Sequence, residues 1–406
     1  MRILQINAVY GIGSTGFYTR KMHEMLLSGG EESYVICRRM SPKYKNAENV
    51  ISIGNNICVK LNALYSRISG MQAHAAFFTT GKIIKRIKEI SPDIIQLGNI
   101  HDNFINIKML LEYIAESGIS LVVTLHDCWF FTGKCMYYSD AACSGWMNGC
   151  SSCPKLRNDI PSFLFDKTKK MLYEKKNLFD KIKKLAVVGV SERITADAAK
   201  SIVFNGRKCV CIRNAIDESV FFSENASEQS REKIVFGASS KWSSFKGIDD
   251  FIFLSKYLKD NYNGDVKIVL AGDIGALSRK KRILISECGI ETVGEKNAYE
   301  MAELYRKADV FVSASRSESF GCSIAEAVMC GVPVVSYDGY AEYELAGRAG
   351  CGECVPVGNR EKLAEAVCKI LYQGKECYSN VLAESAKQYS LSEYYADYIK
   401  LFYEII

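Results

Sequence analysis

Short apolar segments alternate with helical segments along the whole chain, and this alternation is the strongest constraint on the fold. Strand-like runs in the first half lie at residues 3–6, 33–37, 93–97 and 121–125, with a helix predicted from about 19 to 27. A second series of runs follows at residues 185–190, 209–217, 233–239, 266–272, 310–312 and 333–335. Such alternation is typical of doubly wound parallel sheets. A chain of 406 residues exceeds one ordinary core, so we predict two α/β domains.

The composition is that of an ordinary globular protein. Hydrophobic residues make up 48% and charged residues 24% of the sequence, and no apolar run has the length of a membrane-spanning helix. The N-terminal segment reads as a short strand followed by glycine, without the apolar region of a signal peptide. We therefore expect a cytoplasmic protein whose sixteen cysteines are thiols or metal ligands and not disulfides.

Two glutamates, Glu318 and Glu326, stand eight residues apart across the junction between an apolar strand and a helix predicted to begin near Cys322. Parallel sheets bind ligands at the carboxyl ends of their strands, and backbone N–H groups of Phe320, Gly321 and Cys322 would point from the helix end toward an anion. Both carboxylates can accept hydrogen bonds from hydroxyl groups. The arrangement therefore predicts a ligand with a diphosphate between two hydroxyl-bearing groups, such as a nucleotide sugar.

On these residues the segment resembles the Glu-x7-Glu signature of the family 4 retaining glycosyltransferases, and the resemblance extends along nearly the whole chain. It implies the GT-B fold, in which two Rossmann-like domains face each other across a cleft. We expect an acceptor domain over residues 1–187 with a cysteine-rich insert over 128–157, a donor domain over 188–385, and a C-terminal helix over 386–406 that returns to the first domain. The insert resembles that of a subgroup that assembles capsules and exopolysaccharides.

A glycine-rich loop follows the first strand with the spacing G-x-G-x-x-G, from Gly11 to Gly16. The spacing alone indicates dinucleotide binding, but Arg38 and its neighbours stand where an acidic residue would bind an adenosine ribose. Because an arginine there can bind a 2′-phosphate, an NADP-dependent oxidoreductase is an alternative. The family resemblance instead implies that Gly13 and Gly16 close over the donor's phosphates, and a simple tight turn is the third interpretation.

A departing nucleoside diphosphate needs cations or oriented N–H groups. By resemblance, Lys246 is the lysine of the family's lysine-glycine pair that meets the phosphates. The arginine that the family carries six positions earlier is absent, because Ser240 stands there with Lys241 beside it. Either Lys241 takes that role as a point charge, or the diphosphate is bound by one cation fewer. Val293 falls where the family's backbone meets the nucleobase.

His126 ends an apolar strand. By resemblance it matches the histidine that contacts the donor sugar near its anomeric carbon, although a histidine at a strand end is often a structural residue. Asp127 either orients His126 or binds acceptor, and His101 resembles an acceptor-side residue of a related subgroup. The resemblance thus predicts His126, Glu318 and Lys246 as the catalytic residues, with no catalytic metal.

Four cysteines, Cys135, Cys143, Cys150 and Cys153, have seven, six and two residues between them. Four thiolates in a short segment that ends in C-x-x-C suit a tetrahedral zinc ion in a reducing compartment. The spacing is looser than in common zinc ribbons, so free or redox-active thiols are the alternative. A zinc ion there would be structural, because four thiolates leave no open coordination position for catalysis.

Residues 167–184 contain eight lysines and two acidic residues, so this stretch accounts for the whole formal net charge of +6. Apolar residues recur in it at helical spacing. The stretch predicts an amphipathic helix that either lies on an anionic membrane surface or packs in the core with a solvated lysine face. Since the basic residues lack interleaved stacking aromatics, we expect no nucleic-acid partner.

Together these features predict a retaining glycosyltransferase that uses a UDP- or GDP-sugar. The acceptor would be a hydroxyl of a glycan or a lipid-linked oligosaccharide in polysaccharide biosynthesis. An NADP-dependent oxidoreductase and a non-catalytic nucleotide-sugar-binding protein on the same fold are the two alternatives. The expected location is cytoplasmic, with peripheral contact at the inner face of the membrane if the lysine-rich helix lies on it.

Overall fold

A computed structural model describes residues 1–224 and 232–406 of the chain. These residues form two compact units. The first unit contains Met1–Arg213 together with Tyr395–Ile406, and the second contains Asn214–Tyr394. Each unit holds one parallel sheet with helices around it, as the alternation of strands and helices predicts.

The sheet of the first unit has seven strands in the order β3-β2-β1-β4-β5-β6-β7. Every neighbouring pair in it is parallel. The central strands are buried along their whole length, which explains their continuous apolar sequences. The strands are β1 (Arg2–Tyr10), β2 (Glu32–Met40), β3 (Val50–Ser52), β4 (Ile94–Leu97), β5 (Ser120–Leu125), β6 (Leu185–Gly189) and β7 (Lys208–Cys211).

Seven helices connect these strands. The first begins directly at the glycine loop, earlier than the sequence predicted, because the loop itself forms the first turn of the helix. The helices are α1 (Gly13–Ser28), α2 (Asn56–Ser69), α3 (Phe77–Ile90), α4 (Ile107–Ser117), α5 (Gly145–Asn148), α6 (Thr168–Asp180) and α7 (Glu192–Lys200).

The division between the units lies after Arg213, later in the chain than the expected boundary at residue 187. Residue 187 lies inside β6, which pairs with β5 on one side and with β7 on the other. Two strands that were expected to open the second domain therefore complete the first sheet. The physical reason is lateral pairing, which a sequence read strand by strand does not reveal.

The lysine-rich stretch forms α6, which packs its apolar side chains into the first unit. Met171, Leu172, Leu178 and Phe179 are buried. This burial favours the core-packed interpretation of α6 over the membrane-bound one. Across the two described stretches of chain, no helix combines the length and the apolarity that a bilayer crossing requires.

The sheet of the second unit has six parallel strands in the order β10-β9-β8-β11-β12-β13. Its strands are β8 (Lys233–Lys241), β9 (Val266–Asp273), β10 (Glu291–Gly294), β11 (Val310–Ser313), β12 (Val334–Tyr337) and β13 (Gly352–Val355). Its helices, with the last one of the chain, are α8 (Ile248–Asn261), α9 (Arg279–Glu287), α10 (Ala298–Lys307), α11 (Cys322–Met329), α12 (Glu342–Leu345), α13 (Arg360–Gln373), α14 (Ser379–Ala386) and α15 (Leu391–Ile405).

The last helix brings the chain back to the first unit, to which its residues from Tyr395 onward belong. The hydroxyl of Tyr398 lies 3.0 Å from Oγ1 of Thr124 on β5, and the Ser120 hydroxyl donates to the carbonyl of Ile405 at 3.0 Å. Tyr398 and Phe402 are fully buried. The end of the chain is thus part of the core of the first unit.

Both sheets have a point where the strand order reverses, between β1 and β4 in the first unit and between β8 and β11 in the second. The loops that leave such adjacent strands diverge to opposite faces of the sheet and open a crevice at the carboxyl edge. In the first unit, the loop after β1 contains Gly11 and the loop after β4 contains His101. In the second unit, the loop after β8 contains Lys246 and the loop after β11 contains Glu318.

Candidate functional site

The loops that leave β8 and β11 bring two predicted residues together in the second unit. Lys246 Nζ lies 2.6 Å from Glu318 Oε1, and both side chains are only partly exposed. The backbone N–H of Arg316 donates to the carbonyl of Phe245 at 3.0 Å, which joins the two loops directly. Gly247 adopts a left-handed φ of +81°, and a side chain there would collide with Ala314. The sequence therefore builds a close contact between the two loops that carry the ion pair.

Helix α11 begins where the sequence predicted, with Gly321 at its N-terminus in a left-handed conformation, φ 92°. No side chain caps this end of the helix, so its first N–H groups can bind an anion. Phe320 is buried and contacts the ring of Tyr389, with 6.0 Å between the centroids. The side chain of Phe320 is therefore structural, and any ligand contact at this position must come from the backbone.

Glu326 lies on α11, where it accepts a hydrogen bond from Tyr305 Oη at 2.9 Å. Burial raises the pKa of Glu326 to about 7. A carboxyl group held at such a pKa destabilises the folded state at higher pH, which is a feature of binding and catalytic residues. The geometry therefore agrees with a ligand-binding role.

A buried carboxylate holds the loop of Glu318 in place. Asp250, on α8, is fully buried and accepts from Arg316 Nη2 at 2.9 Å, from Arg360 Nε at 2.9 Å and from Tyr337 Oη at 2.8 Å. These partners come from the loop after β11, the start of α13 and the end of β12. Asp250 therefore connects three segments at the carboxyl edge of the sheet.

Glu342 is a residue that the sequence reasoning missed. It is fully buried, and Oε2 accepts from the N–H of Tyr340 at 2.6 Å, whereas Oε1 has no hydrogen-bond partner among the described residues. Burial and then the nearby charge of Glu318 raise its pKa well above the usual range. The sequence did contain a signal for Glu342, because this residue follows an apolar strand at the same distance as Glu318 does.

Three predicted donor-binding residues lie on β8 and β10, the two strands that flank β9. Ser240 and Lys241 end β8 and are exposed, and Val293 lies on β10, with β9 between the two strands. The register of the sheet puts Lys241 opposite Asp273 on β9. These residues share the edge of the sheet with Lys246, but their predicted contacts with phosphate and base stay predictions.

The first unit has a crevice with a cavity volume of about 370 Å³ at its own strand-order reversal. On one side it is lined by Val9 and Thr15 from β1 and α1, and on the other by the segment after β4. All its lining residues belong to this unit: Ala8, Val9, Thr15, Arg39, Ala63, Ser66, Arg67, Asn99, His101, Asp102, Asn103, Asp159, Ile160 and Pro161.

The glycine loop is a closed turn at the edge of this crevice. The N–H of Gly11 donates to the carbonyl of Gly16 at 2.9 Å, and Gly11 and Gly13 both have a φ above +60°. A side chain at Gly16 would lie 3.1 Å from the N atom of Gly11. These contacts are those of a tight turn, which was one of the three interpretations. Contact of Gly13 and Gly16 with donor phosphates stays a prediction.

Two acceptor-side candidates, His101 and Asp127, lie in direct contact. His101 Nε2 is 2.9 Å from Asp127 Oδ2, and Asp127 Oδ1 accepts from the N–H of Trp129 at 2.8 Å. Burial would raise the pKa of Asp127, but the charge and hydrogen bond of His101 outweigh it and lower that pKa. Asp127 therefore orients His101, which lines the crevice, and the two roles that the sequence left open for Asp127, orientation of His126 or contact with acceptor, stay predictions.

His126 directly follows β5 and lies against the ring of Tyr18, with 6.2 Å between the centroids and 15° between the planes. Burial lowers the pKa of His126 to about 4. The imidazole is thus neutral near pH 7 and can donate one hydrogen bond and accept another. That state suits contact with sugar hydroxyls, and such contact stays a prediction.

Arg38 is the residue on which the NADP alternative depended. Its Nε donates to Asp102 Oδ2 at 2.6 Å, and its side chain is only 10% exposed. An arginine already paired with a carboxylate is a poor partner for a 2′-phosphate. The structure therefore gives no support to the oxidoreductase.

The four cysteines of the predicted zinc site are free thiols, and two of them, Cys135 and Cys153, are in contact. Cys135 and Cys153 hydrogen-bond through their thiols, which raises the pKa of Cys135 and lowers that of Cys153 to about 7. The thiol of Cys150 accepts from the N–H of Gly133 at 3.3 Å. Within residues 1–224 and 232–406, no three His, Cys, Asp or Glu side chains are arranged to hold a metal ion. The zinc assignment therefore stays a prediction.

The second unit matches a known family. Residues 220–389 match the model of glycosyl transferases group 1. The matched segment lies within the second unit and leaves the first unit outside the family model. The chain is 23% identical over 369 residues to the putative colanic acid biosynthesis glycosyl transferase WcaC of Escherichia coli, with 86% of each chain covered. A shorter match, 30% identical over 112 residues and 27% of this chain, is to a GDP-mannose-dependent alpha-mannosyltransferase of Mycobacterium tuberculosis, of which it covers 29%.

The solved structures of glycosyltransferases share the fold of this one. A glycosyltransferase from Rickettsia africae aligns with a TM-score of 0.69 at 16% identity, covering 100% of this chain and 98% of the other. HepE from Anabaena, in complex with UDP and glucose, aligns with a TM-score of 0.66 at 16% identity and 100% coverage of both chains. The predicted GT-B fold, with a Rossmann-like sheet in each unit, is therefore confirmed.

The Asp250 contacts in the second unit generate a prediction about stability. Asp250→Asn should lower the free energy of unfolding by about 3 kcal/mol, because two guanidinium groups lose a buried countercharge. The measurement is the midpoint of urea unfolding. Asp249→Asn is the matched control, since Asp249 is partly exposed and pairs with Lys281 at 2.8 Å; its loss should cost less than about 1 kcal/mol. Equal effects of the two variants would contradict the role given to Asp250.

The cysteine cluster generates a second prediction. If the zinc assignment is correct, protein purified in reductant should contain about one zinc ion per chain, measured by mass spectrometry of the metal, and Cys143→Ser and Cys150→Ser should lose it. Cys58→Ser, at an exposed cysteine outside the insert, is the control and should retain the metal. Protein without zinc that forms a Cys135–Cys153 disulfide under mild oxidation would establish the redox alternative instead.

Proposed function

We propose that this protein is a group 1 glycosyl transferase that moves a sugar from a UDP- or GDP-sugar to a hydroxyl of a glycan or lipid-linked acceptor, with retention of the anomeric configuration. The observation that carries the proposal is the contact of Lys246 with Glu318 at the strand-order reversal of the second unit. A cation, a carboxylate and the uncapped end of α11 lie along one edge of the sheet. Phosphates need the first and third of these, and sugar hydroxyls need the second.

The donor's diphosphate would lie at the N-terminus of α11, where Gly321 lets the backbone approach it. Lys246 would then share its charge between the phosphates and Glu318. Glu318 would orient the hydroxyls of the transferred sugar, and Glu326 would accept hydrogen bonds from the ribose. This division of contacts explains why the two carboxylates stand on either side of the helix end.

In the proposed reaction the bond between the anomeric carbon and the phosphate oxygen breaks while the acceptor oxygen bonds to the same face of that carbon. The acceptor's proton passes to an oxygen of the leaving phosphate, so no side chain acts as nucleophile or base. Catalysis then depends on position and on stabilising the charge of the leaving group. His126, in its neutral state, would hold the sugar near the breaking bond.

The relatives support the proposed biosynthetic process and the proposed class of donor. WcaC is named for colanic acid biosynthesis, and HepE was solved with UDP and glucose. Polysaccharide assembly and a nucleoside diphosphate sugar are therefore the first choices for this chain.

The first experiment is a thermal shift with UDP, GDP, ADP, nucleotide sugars and NADP. We expect one nucleoside diphosphate to raise the melting temperature by about 5 °C at a hundredfold excess over its Kd, and Glu326→Ala to reduce this shift strongly. A shift with NADP alone would establish the oxidoreductase and overturn the proposal.

Glu326→Gln tests the same nucleotide contact with a variant that should stay folded, so weaker binding cannot be attributed to unfolding. Because the pKa of Glu326 is raised in the folded protein to about 7, its contribution to stability falls as pH rises from about 4.5 to 7 and stays low above pH 7. The glutamine variant should therefore be more stable than the wild type at pH 8, on the order of 3 kcal/mol, yet bind nucleotide more weakly. If its nucleotide affinity is unchanged, Glu326 does not bind the donor.

Turnover tests the catalytic residues. Glu318→Gln and His126→Ala should each reduce transfer about a hundredfold or more, because positioning and charge stabilisation are lost. Transfer should persist in EDTA, since no catalytic metal is expected. Glu300→Gln, at an exposed capping residue of α10, serves as the control and should keep full activity. Donor binding without transfer or hydrolysis in the wild type would indicate the non-catalytic alternative.

A further inference from the structure

Helix α2 in the first unit turns its large apolar side chains away from the protein. Five of them recur at the spacing of one helix face, and on the opposite face Ser66 is buried. An ordinary surface helix has the reverse arrangement, with apolar residues inward and polar residues outward. The exposed fractions are 67% for Ile57, 61% for Leu61, 52% for Leu64, 46% for Tyr65 and 45% for Ile68.

A loop next to this helix continues the apolar surface. Phe163, Leu164 and Phe165 are consecutive, and each is more than half exposed. The N–H of Phe163 donates to the carbonyl of Arg67 at 2.8 Å, so the loop adjoins the last turns of α2. At Gly70 a side chain would lie 2.4 Å from the carbonyl oxygen of Phe165, which makes the contact close. We call the five side chains of α2 and these three the apolar patch.

Basic side chains border the apolar patch. Lys60 and Arg67 lie along one side of the exposed face of α2, and Lys167, Lys169 and Lys170 follow the loop; all five are exposed. Lys167 Nζ lies 5.5 Å from the centre of the Phe165 ring.

The loop contains one acidic residue, Asp166, against the five basic residues of the border. Asp166 accepts hydrogen bonds from the N–H of Cys153 and from the N–H and hydroxyl of Thr168. The border of the patch is therefore positively charged.

Bulky apolar side chains inside a basic border match a bilayer that contains anionic lipids. Apolar side chains on such a surface enter the boundary between headgroups and acyl chains, and lysines and arginines bind the negative headgroups. A second copy of the chain is a poorer match, because a symmetric contact would bring the same basic residues toward each other. The patch also exceeds the scattered exposed apolar residues of a typical surface.

We propose that the apolar patch docks this protein on an anionic bilayer. The crevice of the first unit adjoins the patch, because Ala63, Ser66 and Arg67 of α2 line it, and so do the residues just before the loop. A docked protein would hold this crevice at the level of the lipid headgroups. Under the proposed function, the acceptor would then have its hydroxyl-bearing part in the crevice and its apolar chain in the bilayer.

Vesicle co-sedimentation of the full chain tests the docking without any need for turnover. We expect binding to vesicles of equimolar phosphatidylcholine and phosphatidylglycerol and much weaker binding to phosphatidylcholine alone. The paired substitutions Leu64→Ser/Ile68→Ser and Phe163→Ser/Leu164→Ser should each weaken binding about tenfold or more. Lys169→Gln/Lys170→Gln should weaken it by about fivefold per lysine, and high salt should have the same effect.

Ile283→Ser is the matched control, because Ile283 is an isoleucine on a helix of the second unit with a similar exposed fraction, 48%. It should bind vesicles like the wild type. All substituted side chains are exposed, so melting temperatures should stay close to that of the wild type and separate docking from folding. Equal binding by wild type and patch variants, or no binding to anionic vesicles, would overturn the proposal. So would a wild-type dimer that the patch variants convert to monomer without any vesicle binding.

A second arm separates the docking from the proposed transfer. With a lipid-linked acceptor in vesicles, the patch variants should lose transfer, and with a short soluble acceptor they should keep it. Loss of transfer with both acceptors, combined with intact vesicle binding, would contradict the proposed function but leave the docking intact. Vesicle binding that is lost while transfer to the lipid-linked acceptor is unchanged would contradict the link between the patch and the acceptor.

Discussion

The buried carboxylate of Asp250 is the interaction on which the donor-side site depends. It is fully enclosed, and its charge is balanced by Arg316, Arg360 and the hydroxyl of Tyr337. A charge in such a position is tolerated only when its partners hold fixed places, because an unpaired buried carboxylate is very costly. The loop that carries Glu318 is thereby tied to α8, β12 and α13. The loop of Glu318 can therefore hold its carboxylate against Lys246, on the loop after β8, without regular secondary structure of its own.

Several groups near that loop carry a cost in stability. Glu342 is buried beside Glu318 with one oxygen unsatisfied, and Glu326 has a pKa of about 7. Neither arrangement helps folding, since burial of an acid without full compensation weakens the folded state. Such groups persist where they serve binding or chemistry. Their concentration along one edge of the second sheet distinguishes that edge from the rest of the unit.

Much of the fold was predictable because its signals are local. Continuous apolar runs predicted the strands, and Gly321 with the residues after it predicted α11. The division between the units was not predictable, because it depends on whether β6 pairs with β5 or with a later strand. The start of α1 was predicted too late, since a glycine loop can either precede a helix or form its first turn.

The candidate site shows the same difference between local signals, which the sequence contains, and contacts, which the fold creates. Lys246 and Glu318 were found separately by motif, and their 2.6 Å contact arose from the strand order of the sheet. The contact between Asp127 and His101 was not predicted, because His101 comes from the loop after another strand and only the fold brings the two side chains together. For the cysteines, spacing could not predict which thiols meet.

The sequence by itself determined the class of fold, the number of sheets and the residues able to bind phosphate and hydroxyl groups, because strand and helix periodicity and the chemistry of single side chains are local properties. Only the tertiary structure decided which of those residues meet, how the strands are shared between the units and which face of α2 is exposed. A pattern of apolar residues defines a face of a helix, but packing of the whole unit decides whether that face is covered. That is why α6, rich in lysine, packs into the core while the apolar side chains of α2 face outward.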